Sequence, residues 1–174
     1  MRRIAVTGKP GVGKSTVVAK AAGKLAEKQG LKIGGIRTAE IRKEGKREGF
    51  SIEDLATGKT GILGHVKGSG PRVGKYHVNL EDLAGIAAGA LMAALDCDLV
   101  VIDEIGPMEL KSEEFISAVE DILESERQVL AVLHRSSKHP LAQKVREEFE
   151  VLTVDEGNRD YLPDKIVEMF GYIN

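Results

Sequence analysis

The chain has 174 residues and a mass of 18.8 kDa, which suits one domain spanning 1–174. Hydrophobic residues make up 42%, which excludes a disordered chain. A single cysteine, Cys97, excludes an internal disulfide and a multi-cysteine zinc site, and a net charge of −2 argues against nucleic-acid binding through bulk positive charge.

The longest uncharged apolar stretch, Leu83 to Leu95, is 13 residues, short of the roughly 20 that a membrane span needs. The N-terminus enters a strand-like pattern at once and carries no signal-peptide core, so the expected compartment is the cytoplasm. Charged residues reach 30% while Asn and Gln number three each, the composition of a heat-adapted protein from a thermophile.

In chain order, Arg3 to Thr7 reads as a buried strand. Val17, Val18, Ala21, Ala22 and Leu25 recur at helical spacing from Lys14 to about Lys28, and Gln29-Gly30 closes that helix. Leu31 to Ile36 predicts a second strand. Residues 38 to 79 hold eight of the 20 glycines and eight Lys and Arg against five Asp and Glu. Short apolar runs between their Gly- and Lys-rich turns predict antiparallel hairpins added to the main sheet. Asn79 caps a helix to about Leu95, with Glu81 and Asp82 at its positive end. Leu99 to Ile102 is the most hydrophobic strand. Ser112 caps a helix ending near Glu124, Val129 to Leu133 is a strand, and Pro140 starts a short helix. Val151 to Val154 is the last strand, and Pro163 sits in the first turn of a terminal helix. This alternation predicts a mainly parallel sheet with helices on both faces and ligands beyond the strands' carboxyl ends.

Two motifs lie at those ends. Gly8-Lys9-Pro10-Gly11-Val12-Gly13-Lys14-Ser15 fits the phosphate-loop pattern G-x-x-x-x-G-K-[ST], between a strand and a helix. Gly8, Gly11 and Gly13 leave room for backbone N–H groups to wrap phosphate oxygens. Lys14 supplies an ammonium to the β- and γ-phosphates, Ser15 a hydroxyl to Mg²⁺, and Thr16 reaches toward the α-phosphate. The second motif is Leu99-Val100-Val101-Ile102-Asp103-Glu104, a buried strand ending in two acids. Asp103 would hold the magnesium water shell beside Ser15, and Glu104 would polarise a water for attack on the γ-phosphorus. In P-loop enzymes with such an acid pair another strand usually separates the two motifs, and the strand ending at Leu133 is the candidate. His134 would then orient the water and Arg135 offset transition-state charge. Arg37 is placed to touch a phosphate or a second substrate, and Glu109 has a claim to support the acids. Asn158, after the last strand, faces the nucleobase or caps a helix. His65, His77 and His139 lack metal-ligand spacing and read as loop residues.

Gly8 to Thr16, the Val-Ile-Asp-Glu-Ile-Gly-Pro-Met-Glu stretch, Gly74 to Val78, the His134-Arg135 pair and Asn158-Arg159-Asp160 together resemble the cancer-related nucleoside-triphosphatase family. The resemblance covers essentially the whole chain. It implies a RecA-like variant of the P-loop fold and Mg²⁺-dependent hydrolysis of several nucleoside triphosphates. Two other readings stand beside hydrolysis: a small-molecule or nucleotide kinase, and a nucleotide-gated module acting on a nucleic acid or protein partner through residues 38–79. For the last, a charge excess of three over that segment is what a solvated face carries.

Overall fold

The computed structural model describes residues 1–172. Its strands are β1 (Arg3–Thr7), β2 (Ile33–Lys43), β3 (Lys46–Asp54), β4 (Thr60–His65), β5 (Arg72–Val73), β6 (Tyr76–Val78), β7 (Leu99–Ile105), β8 (Gln128–Leu133) and β9 (Glu150–Thr153). Its helices are α1 (Lys14–Gln29), α2 (Leu80–Asp82), α3 (Gly89–Ala93), α4 (Glu113–Glu124), α5 (Pro140–Glu148) and α6 (Leu162–Met169). The strands form one sheet in the order β5-β6-β4-β3-β2-β7-β8-β1-β9. From β2 to β9 the ladders are parallel, and from β2 to β5 they are antiparallel. The predicted class, a parallel α/β sheet with an antiparallel extension, is the one observed. β8 lies between β1 and β7, as the two motifs require.

The central parallel strands β1, β7 and β8 are apolar along most of their length because both faces are covered, whereas the edge strand β9 is largely exposed. Val100 and Ile102 of β7 join a core with α3, α4 and α5, while Leu99 and Val101 join a second core with α1 and α6. Strand alternation thus puts Asp103, next in the Leu99–Val101 series, on the α1 face. The caps are as expected: the Asn79 carboxamide oxygen accepts from Asp82 N–H, and the Ser112 hydroxyl accepts from Phe115 N–H. The helix predicted from Asn79 to Leu95 is subdivided. A π-helical stretch, Leu83–Ala88, joins α2 to α3, and a 3-10 turn, Ala94–Asp96, ends it. His65 and His77 sit on strands rather than loops and face each other across the β4–β6 ladder.

β2 departs most from expectation. One 11-residue strand takes the place of a short strand followed by separate hairpins. Its first part, Ile33 to Ile36, pairs with β7 up to Ile102. Its remainder pairs with β3 and runs past the carboxyl edge of the parallel strands, rising about 23 Å at ~3.3 Å per residue to Lys43. The extension is therefore a wall standing beside the phosphate loop. Gly35 permits this course: at φ 118° it lies where a Cβ would meet Val101 O at 1.9 Å. Gly35→Ala is expected to destabilise the protein by more than about 2 kcal/mol, through strain and a backbone clash with β7. Urea denaturation checks this, and a midpoint equal to the parent's would refute it.

Candidate active site

The loop between β1 and α1 is built for close approach to an anion. Gly8, Gly11 and Gly13 all have positive φ (149°, 75° and 112°), a backbone that L side chains resist. A Cβ on Gly8 would strike Val154 O at 2.7 Å, so the loop is pinned against the end of β9. Gly13 caps α1 without a side-chain bond, leaving the first-turn N–H groups for a ligand. Lys14 Nζ donates to Gly8 O at 2.8 Å, which stretches the ammonium across the loop. Lys9 is exposed at the loop mouth, Val12 packs toward the α1–α6 core, and Pro10, Ser15 and Thr16 line a cleft of about 580 Å³.

Asp103 and Glu104 face the same cleft from its floor. Strict alternation would send Glu104 to the opposite face of the sheet. The register of β7 against β8 slips between Asp103 and Ile105, so Ile105 takes the place in the α4-side core and Glu104 becomes the extra residue. Asp103 is buried, and the Ser15 hydroxyl hydrogen-bonds its carboxylate. Burial pushes Asp103 up to about 7 against the pull of Ser15, with the negative charge of Glu104 adding to the rise. Burial raises Glu104 too, and Lys14 opposes the rise.

His134 follows β8 and lines the cleft beside the acids. Burial lowers its pKa, and the charges of Lys14, Arg135 and Arg146 lower it further, so the ring is neutral. Its Nδ1 accepts Ser136 N–H at 3.3 Å, which leaves the proton on Nε2. Lys14, Ser15, Asp103, Glu104 and His134 thus converge on one cleft, with a hydroxyl and a carboxylate adjacent as hard oxygen donors for a divalent cation.

Residues 3–167 match the family model described as NTPase. The chain belongs to the NTPase family. The nucleoside-triphosphatase THEP1 of Methanosarcina acetivorans is 76% identical over 170 residues, covering 98% of this chain and 97% of that one. THEP1 of Thermofilum pendens is 45% identical over 92% of this chain and 91% of its own. Two solved structures superpose along the whole length. The crystal structure of THEP1 from the hyperthermophile Aquifex aeolicus has a TM-score of 0.85 at 28% identity, covering 98% of this chain and 99% of that one. The solution structure of a human cancer-related nucleoside triphosphatase has a TM-score of 0.80 at 34% identity, covering 98% and 97%. The resemblance drawn from the sequence motifs holds.

Other candidates in this NTPase are placed differently. Arg135 is exposed in the turn after His134 and does not line the cleft; it acts on the site through its charge. Asn158 spends its side chain inside the loop after β9, accepting from Asp155 N–H at 2.9 Å and donating to Thr153 O at 2.8 Å. Its neighbour Arg159 reaches the phosphate loop instead, donating to Val12 O at 3.3 Å. Arg37 pairs with Glu53 at 2.8 Å and lines, with Ser15 and Asp103, a second hollow of about 240 Å³ along the small side chains of α1.

Glu109 is the residue whose place the sequence least reveals. It is 3% exposed, lines the cleft, and is held well above the usual carboxylate range by burial and by the charges of Glu104 and Asp103. Its surroundings thus favour the protonated form beside two acids that are themselves raised. These raised acids give the metal-free protein a definite pH dependence. Asp103 stays protonated in the folded state where the unfolded chain has ionised, so its contribution is fully present below pH ~4 and is lost as pH rises through about 7. Stability should fall over that window by on the order of 4 kcal/mol from Asp103 alone. Asp103→Asn should flatten the curve, checked by urea unfolding in EDTA at pH 5 and pH 8.

Proposed function

We propose that this NTPase hydrolyses the β–γ anhydride of nucleoside 5′-triphosphates with Mg²⁺, releasing the nucleoside diphosphate and phosphate. The observation that carries the reading is the convergence of Lys14 with Asp103, Glu104 and His134 in one cleft above the phosphate loop. Ser15 and Asp103 would hold the cation, which when bound supplies charge neutralisation to the phosphate oxygens. The loop amides and the first turn of α1 bind the phosphates, and Lys14 meets the β- and γ-oxygens. His134 donates Nε2–H to a γ-oxygen, which keeps it from being the base. Glu104 takes the proton of the attacking water as the bond from the γ-phosphorus to the bridging oxygen breaks.

Base discrimination is weak in this reading. The nearest aromatic to the loop after β9, Tyr161, is 58% exposed and offers one open face rather than a sandwich. Among the described residues no helix is long and apolar enough to cross a membrane. The buried, unpaired Cys97 suits the reducing cytoplasm. We also take 1–174 to act as one domain.

Phosphate release from ATP, GTP, CTP and UTP, with Mg²⁺ or EDTA and no added acceptor, tests the proposal. All four substrates should turn over within about a hundredfold, ~2.7 kcal/mol in transition-state terms. No release without an acceptor would sink it. Asp103→Asn should move the optimum to higher Mg²⁺, because an amide carries no charge for the cation. An unchanged Mg²⁺ titration would remove Asp103 as ligand.

A further inference from the structure

The cleft extends past the residues that meet the phosphates. Its inner half holds the phosphate loop, the acids and His134, whereas its outer half is walled by the β2–β5 extension and the turn after β7. That outer wall presents Phe50, Leu63, Val73 and Met108, of which Phe50, Val73 and Met108 are only partly buried. An apolar wall offers a water nucleophile no hydrogen bond, whereas it suits the apolar body of a larger one. Above it stands Arg47, a fixed cation. Its Nε donates to the Tyr76 hydroxyl at 2.8 Å and one terminal nitrogen donates to Glu40 at 3.2 Å. Its guanidinium lies 5.2 Å from the Phe50 ring centre and 5.8 Å from that of Tyr76. The two rings meet edge to face at 5.2 Å, so the whole cluster is preorganised. Arg47 sits opposite Arg42, near the tip of the wall and away from the floor where Asp103 and Glu104 lie.

We infer that the outer half of the cleft binds a second small molecule, an organic anion with an apolar or aromatic body and a free hydroxyl, as phosphoryl acceptor. The inference rests on the nucleotide placement proposed above. The anion meets Arg47, the body lies on Phe50, Leu63, Val73 and Met108, and the hydroxyl points inward to the γ-phosphate. The hydroxyl oxygen attacks the γ-phosphorus and its proton passes to Glu104. The bond from the γ-phosphorus to the bridging oxygen breaks, and the nucleoside diphosphate leaves with the electron pair. The products are a phosphate monoester and the diphosphate. Hydrolysis is then the reaction of the same site with water when the outer half is empty.

The test uses the full-length protein with γ-labelled ATP and Mg²⁺, and three probes at millimolar concentration: 4-(hydroxymethyl)benzoate, pantothenate and adenosine 3′-monophosphate. Label should pass to at least one probe in the parent. Arg47→Ala and Phe50→Ala should each cut that transfer tenfold or more while phosphate release to water stays within about threefold, which also shows that the variants fold. Transfer to none of the three overturns the inference, as does transfer that survives both substitutions. Loss of water hydrolysis in Arg47→Ala also overturns it, because the wall then serves the lytic reaction. The nucleotide placement is judged separately, by phosphate release in Glu104→Gln without probe: normal release there refutes that placement of the base, whatever the probes do.

Discussion

Lys14→Ala is expected to abolish detectable turnover and weaken triphosphate binding. Lys14 is the cation inside the loop, tied by its Nζ to Gly8 O, and its charge acts on Asp103, Glu104 and His134 together. Without it the γ-phosphate loses its nearest positive group in a site where low dielectric makes that charge matter most. A loss of at least about 10³-fold in kcat is expected, at the upper end for removing one preorganised donor. Stopped-flow binding of a fluorescent triphosphate analogue, alongside phosphate release, checks both parts. Turnover near the parent's level would show that the loop is not the site. Arg159 donates to Val12 O beside the loop but is exposed and anchored to the last loop, so it is not placed to substitute.

The second large effect separates the two acids. Glu104→Gln should leave nucleotide and metal binding nearly intact while kcat falls by about 10²–10⁴-fold, the size of a general-base contribution. The register slip after Asp103 turns both acids to the cleft, yet only Asp103 is hydrogen-bonded by Ser15. Glu104 is the half-buried one, open toward an attacking water. Single-turnover rates and affinities have to be measured separately, since slow product release can hide a loss in the chemical step. Full kcat in Glu104→Gln would pass the role of base elsewhere. His134 is not equipped for it, having its proton on the nitrogen left free by Ser136. Glu109, buried and neutral, would have to surrender a proton that its surroundings hold firmly.

Much of this site is legible one residue at a time. Glycines spaced for a phosphate loop, a lysine and serine opening a helix, and four apolar residues running into two acids are local patterns. Each is dictated by what the backbone or a buried strand tolerates. The caps at Asn79 and Ser112 are local in the same way. These features fixed the fold class, the order of the two motifs and the cation that joins them.

Pairing between distant segments decided the rest. That β2 continues unbroken into the wall depends on Gly35 passing within touching distance of Val101, a contact between strands far apart in sequence. The facing of Glu104 depends on a slip against β8 that no alternation in β7 encodes. Asn158 was legible as a loop residue, but its bonds to Asp155 and Thr153 turn it inward and bring Arg159 to the phosphate loop instead. Arg47, Phe50 and Tyr76 look like scattered members of Gly-rich turns until the β2–β3–β4–β6 pairing stacks them above the cleft. Local sequence determines which groups can do chemistry. Long-range strand register determines which of them meet, because one residue of slip moves a side chain to the other face of the sheet.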